Sequence, residues 1–148
     1  MSYGEREALT GLITSLIVAG FFILRLTSQH AEGLFSGPDA LQIWARAVLV
    51  LIAIGIGIAI AVTVIFHILY RILTDEKTDD RRDERDREIE RRAITWAWYF
   101  LSFGILGVIV DLALGASAVR AMNLILGLCL GTELFKDACK IWHYRRGA

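Results

Sequence analysis

Proline is almost absent from this chain. The single one, Pro38, lies in a short polar connection, so no long apolar stretch is broken from within by a proline. Broken helices are the usual mark of a transporter's substrate site, and that mark is missing. Cysteine is equally scarce. Cys129 and Cys139 stand ten positions apart on one apolar stretch, about 15 Å along a helix, too far to bridge without unwinding it. They read as small apolar residues. There is no Cys-x-x-Cys, no phosphate-cradling loop and no nucleophile elbow. His67 is the one histidine well inside an apolar stretch, with His30 in a connection and His143 near the C-terminus, so axial haem ligation would need His67 to meet His143. These absences point away from an enzyme and supply no cofactor or metal site. An excess of one charge is missing as well. Sixteen basic residues balance sixteen acidic ones, which makes nucleic acid a poor partner.

What the chain does have is apolar length. Hydrophobic residues make up 55% of its 148 positions, and the mean hydropathy of +0.52 exceeds that of an ordinary soluble domain. Four apolar stretches, at about 8–26, 47–73, 94–114 and 121–144, each match the ~30 Å hydrocarbon thickness of a bilayer when helical. A helix satisfies its own backbone in lipid, and none of the stretches shows the alternation of a barrel strand. The expected fold is therefore all-α: a single-domain integral membrane four-helix bundle, with the lipid bilayer as its first partner. The first stretch follows Met1-Ser-Tyr-Gly-Glu-Arg-Glu7, is long for a signal peptide and lacks a small-residue cleavage site, so it is expected to remain as the first span. Ser36-Gly37-Pro38-Asp39 is an expected helix start ahead of the second span.

Lysine and arginine are distributed asymmetrically. Arg6, the segment from Arg71 to Arg92, and Lys140, Arg145 and Arg146 fall on one side, against only Arg25, Arg46 and Arg120 on the other. The basic side is expected to be cytoplasmic, placing both termini and the central segment inside a cell (inner) membrane. Tyr70, Trp96, Trp98, Tyr99, Trp142 and Tyr144 cluster near that boundary as an interfacial aromatic belt.

Helices in lipid meet through close backbone approach, so small residues at four-residue spacing mark expected contacts. Three spans carry such a series: Gly11/Ser15/Ala19, Ala53/Gly57/Ala61, and Gly127/Gly131 with Asn123 one turn earlier. In the third span Gly104, Gly107 and Asp111 share a face, which points Asp111 into a packed interface; Arg25, Arg46 and Arg120 are its candidate ion-pair partners.

The fourth span is the most polar. Glu133, Lys136, Asp137 and Lys140 lie within about a third of the helix circumference, with Cys129 and Tyr144 extending the stripe and the two glycines nearly opposite. Glu133 with Lys136, and Asp137 with Lys140, have the spacing of neutralising i, i+3 pairs. Two readings stand: an ion or proton route, or an ordinary helix end whose lysines reach for the interface.

Between the second and third spans nearly every residue from Asp75 to Arg92 is charged. Read as a helix, it places Asp79, Asp83, Asp86 and Glu90 on one narrow stripe and Arg81, Arg85 and Arg92 across from it. Asp83 with Arg87 and Glu88 with Arg92 are favourable i, i+4 pairs. The segment is expected to be a solvated cytoplasmic extension of the third helix, with the acid stripe available to a basic face of another subunit. It lacks the glycine-bearing turn of a calcium loop.

Here a resemblance enters. Asp83-Glu84-Arg85-Asp86-Arg87-Glu88-Ile89, followed by Glu90-Arg91-Arg92-Ala93 and the third span, resembles the D-E-R-D-x-x-I hallmark of a family of small, uncharacterised four-span membrane proteins of prokaryotes with a charged central linker. That resemblance implies the architecture and carries over no activity or catalytic residue. The four-span eicosanoid and glutathione enzymes are similar in size, but their second-span Glu-Arg pattern with downstream Asn and Glu is absent. Two functions follow as expectations: a non-enzymatic membrane protein that forms a homo-oligomer or partners another membrane protein, or a small ion channel or proton-coupled transporter using the polar stripe of the fourth span.

Overall fold

The computed structural model describes residues 3–74 and 84–146, which form four α-helices: α1 (Tyr3–Ala31), α2 (Ala40–Thr74), α3 (Glu84–Ala113) and α4 (Ala118–Arg146). All four are long and apolar enough to cross a membrane. Asp79, Asp83 and Arg81 lie outside the described residues, so the acid stripe is seen only from Asp86 onward.

The helices outrun the apolar stretches because their ends are capped in the connections. α1 continues past Leu26 to Ala31 and stops where Gly33 takes φ +75°, with Gly33 N–H donating to His30 O at 3.0 Å and Leu34 N–H to Gln29 O at 3.2 Å. α3 ends the same way at Gly115, φ +96°, with Gly115 N–H on Leu112 O and Ala116 N–H on Asp111 O. Both are paired closures around a left-handed residue that glycine adopts without strain. α2 starts at Ala40, a full turn or more ahead of Ala47, because Asp39 O accepts the first helical bond from Ile43 N–H. Ser117 opens α4, its hydroxyl accepting from Arg120 N–H at 3.3 Å.

α4 is the central element and packs on α3, α1 and α2; α1 also packs on α2. The starts of α1 and α3 meet the ends of α2 and α4 at one end of the molecule, the terminal end. The two connections 32–39 and 114–117 define the other, the loop end. Each end has its own core. At the loop end Phe35, Trp44 and Val48 form a buried cluster covered by Leu26, Ala47, Val119, Met122 and Leu126. At the terminal end the buried residues are mostly small: Ala8, Ala93 and Ala97, with Ile89.

Small residues serve only some of the expected contacts. On α1 Gly11, Ser15 and buried Ala19 do face neighbours, and the line extends back through Ala8 and Gly4. On α2 Ala53, Gly57 and Ala61 are exposed, and a Cβ at Gly57 would meet nothing within 4 Å. The packed line of α2 is instead Trp44, Val48, Leu51 and Gly55, whose added Cβ would lie 3.0 Å from the Phe22 ring. On α3 Gly104 is pressed against Leu128 while Gly107 is open. On α4 Gly131 faces Phe100 at 3.7 Å and Gly127 is open. Gly55, Gly104 and Gly131 therefore make room for the large side chains Phe22, Leu128 and Phe100, while Gly57, Gly107 and Gly127 are left outside.

Candidate functional site

The polar residues of α4 divide between two surfaces. Starting from α3, the spacing i, i+3, i+7, i+11 puts Asp86, Ile89, Ala93 and Ala97 on one line, and all four are buried. The second Asp and the Ile of the D-E-R-D-x-x-I run thus point inward. At Asp86 this corrects the expectation of an acid stripe offered to another subunit, since a buried carboxylate must find its donors nearby. Tyr144 Oη donates to Asp86 Oδ1 at 2.8 Å, and Lys140 Nζ approaches Glu90 Oε1 at 3.4 Å. Both contacts tie α4 to α3. Tyr144, expected in an aromatic belt, is accordingly a polar link between helices.

α1 closes over this seam with its smallest residues. A Cβ at Gly4 would run into Tyr144 Oη and lie 2.8 Å from Asp86 Oδ1, so only glycine lets the helix cover that bond. One step along, a Cβ at Gly11 would lie 2.7 Å from Asp137 Oδ2. Asp137 is 5% exposed, and its partner is Ser15 Oγ, donating to Oδ2 at 3.5 Å. The expected Asp137–Lys140 pair is not formed, because Lys140 reaches across to α3. Arg6 lies 4.6 Å over the Tyr70 ring and joins α1 to α2 at the same end. The predicted pair Glu133–Lys136 forms, but on an open side of α4: the Glu133 side chain is 58% exposed. On α3 Glu88 pairs with Arg92 and Arg91 at 2.9 Å on the outer surface. Arg85 is exposed too.

At the loop end Arg120 takes Asp111, Nε to Oδ2 and Nη2 to Oδ1 both at 3.0 Å, so the expected ion pair is made by the arginine nearest in sequence. Trp44 Nε1 donates to Asn123 Oδ1 at 2.7 Å, a link between α2 and α4 that the sequence reading missed. A polar Asn on an apolar stretch was the available signal. Between the two connections lies an open cleft of about 760 Å³ lined by Phe35, Leu41, Arg120, Asn123 and Leu124. Cys129 and Cys139 are both free thiols. Among the described residues no group of three or more His, Cys, Asp or Glu is arranged to hold a metal ion.

Comparison of the chain with protein-family models, with curated proteins and with solved structures finds no match.

Proposed function

We propose that this is a non-enzymatic, multi-pass protein of the cell (inner) membrane that acts by self-association or as an accessory partner of another membrane protein, with both termini cytoplasmic. The D-E-R-D-x-x-I family reading belongs to this proposal. The observation that carries it is the disposition of α2, whose packed line is confined to one side while Ala53, Gly57 and Ala61 form an uncovered face. Small residues at that spacing favour close helix contact in lipid, where no hydrophobic effect distinguishes lipid from protein. Meanwhile Asp86, Glu90 and Asp137 are engaged by Tyr144, Lys140 and Ser15, which leaves few intramembrane charges for a conduction route.

Mass in mild detergent tests it, with Gly57→Leu and Gly131→Leu as probes. An oligomer lost in at least one variant supports the proposal; a native monomer with no co-purifying protein overturns it. Labelling of Arg87→Cys from outside intact cells would overturn the orientation.

Asp137 favours a second reading. A carboxylate can accept several hydrogen bonds, and this buried one has a single long bond from Ser15, so it could exchange a proton or cation along the α1–α4 seam. Liposomes carrying the native protein would then leak in a pH- or cation-dependent way, and Asp137→Asn or Glu133→Gln would abolish the leak.

A further inference from the structure

The Glu133–Lys136 pair is in an anomalous place. Along α4 Glu133 stands thirteen residues from Arg120 and seven from Lys140, or ~20 Å and ~10 Å along the axis, inside the apolar band these charges bound. The Asp137 and Lys140 side chains are turned into the molecule, yet the Glu133 side chain is 58% exposed and pairs with Lys136 on the same helix. A carboxylate facing lipid at that depth is costly even with the 24%-exposed Lys136 beside it, and such residues ordinarily face protein or water. The same side carries exposed Cys129 one turn away.

We infer that this side of α4 is covered by α4 of a second copy of the chain, with Glu133 of each copy pairing with Lys136 of the other. The inference rests on the self-association proposed above and names its surface. The occupant is argued from charge complementarity. An acid and a base one turn apart on one helix are complementary to the same pair on a parallel copy related by a two-fold axis, because a contact of one residue with the other is then made twice. Exchange of partners leaves every charge paired and replaces the lipid contact of each. The surface is distinct from the Ala53/Gly57/Ala61 face of α2.

The test uses the full chain in native membranes. With Cys139→Ser, oxidation by copper phenanthroline is expected to give a disulfide-linked dimer through Cys129; with Cys129→Ser, leaving Cys139, it is not. Glu133→Lys alone and Lys136→Glu alone should each lower the cross-linked fraction several-fold, since each puts like charges across the axis. Co-expressing these two variants with different tags should restore it between tags and not within a tag. That mixture separates pairing between copies from pairing within one helix, and the unsubstituted charge pair in the Cys139→Ser protein guards against variants that fail to fold. An oligomer that persists while Cys129 gives no cross-link, or mixing that restores nothing, overturns this interface and leaves self-association standing through another face. A native protein that is monomeric overturns both.

Discussion

The two ends of the molecule hold their helices together by opposite means. At the loop end, bulk does the work: Phe35, Trp44 and Val48 interlock, the polar contact made by this cluster is a neutral hydrogen bond from Trp44 to exposed Asn123, and the Arg120–Asp111 ion pair lies outside the cluster, with Arg120 largely exposed. At the terminal end, size is subtracted: Gly4, Ala8 and Gly11 bring α1 against carboxylates on α3 and α4. The difference teaches how a chain with few large core side chains can still fix helix register. Bulky clusters tolerate loss or reshaping by degrees, whereas a backbone pressed against a hydrogen-bonded carboxylate has no room for an added methyl.

The sharpest way to break this contrast is Gly11→Leu. Its first added carbon would already lie 2.7 Å from Asp137 Oδ2, and the remaining carbons extend into the seam. Overpacking of this kind is expected to cost about 3 kcal/mol, seen as loss of folded yield and a lower unfolding midpoint in detergent. Near-native stability would show that the seam is loose. Tyr144→Phe is milder. It removes one hydroxyl and leaves Asp86, 8% exposed, without that donor. A bond to a charged group of this sort is worth about 1.5–3 kcal/mol, and the same unfolding experiment reads it. At the other end Asn123→Ala deletes the acceptor of the Trp44 N–H and, because Asn123 is exposed, leaves the cluster packed, for about 1 kcal/mol or less. If Asn123→Ala cost more than Tyr144→Phe, the assignment of polar fixation to the terminal end would fail.

How much of this was legible before the fold follows from which signals are local. Four helices are written in runs of apolar residues against one charged segment, and their ends in Gly33, Asp39, Gly115 and Ser117, each acting on its own neighbourhood. The Glu133–Lys136 and Glu88–Arg92 pairs are also local, since three and four residues bring side chains to one face. Direction relative to other helices is not local. Asp86 and Glu90 looked like a solvated stripe because periodicity reports a face and does not say what it faces; α1 and α4 cover them. Small-residue spacing was ambiguous for the same reason. Gly11, Ser15 and Ala19 and the α2 series have the same four-residue pattern, yet one is packed and the other is open.

That last ambiguity sets the smallest effect. Gly57→Leu adds a side chain where nothing lies within 4 Å, on an exposed face of α2. The glycine is in a helix, where leucine has the better propensity, by up to ~1 kcal/mol in water. Its effect on the unfolding of a single copy should therefore stay within about 0.5 kcal/mol of neutral, or be slightly stabilising. Gly11→Leu, with the same change on the same kind of pattern, should be worse by several-fold in energy. The pair of variants thus separates what a small-residue series does inside the chain from what it does between chains. If Gly57→Leu leaves the unfolding of one copy unchanged but lowers the oligomer fraction, the α2 face is an association surface. If it leaves both unchanged, that series is simply lipid-facing, and association must be sought at Glu133 and Lys136 on α4.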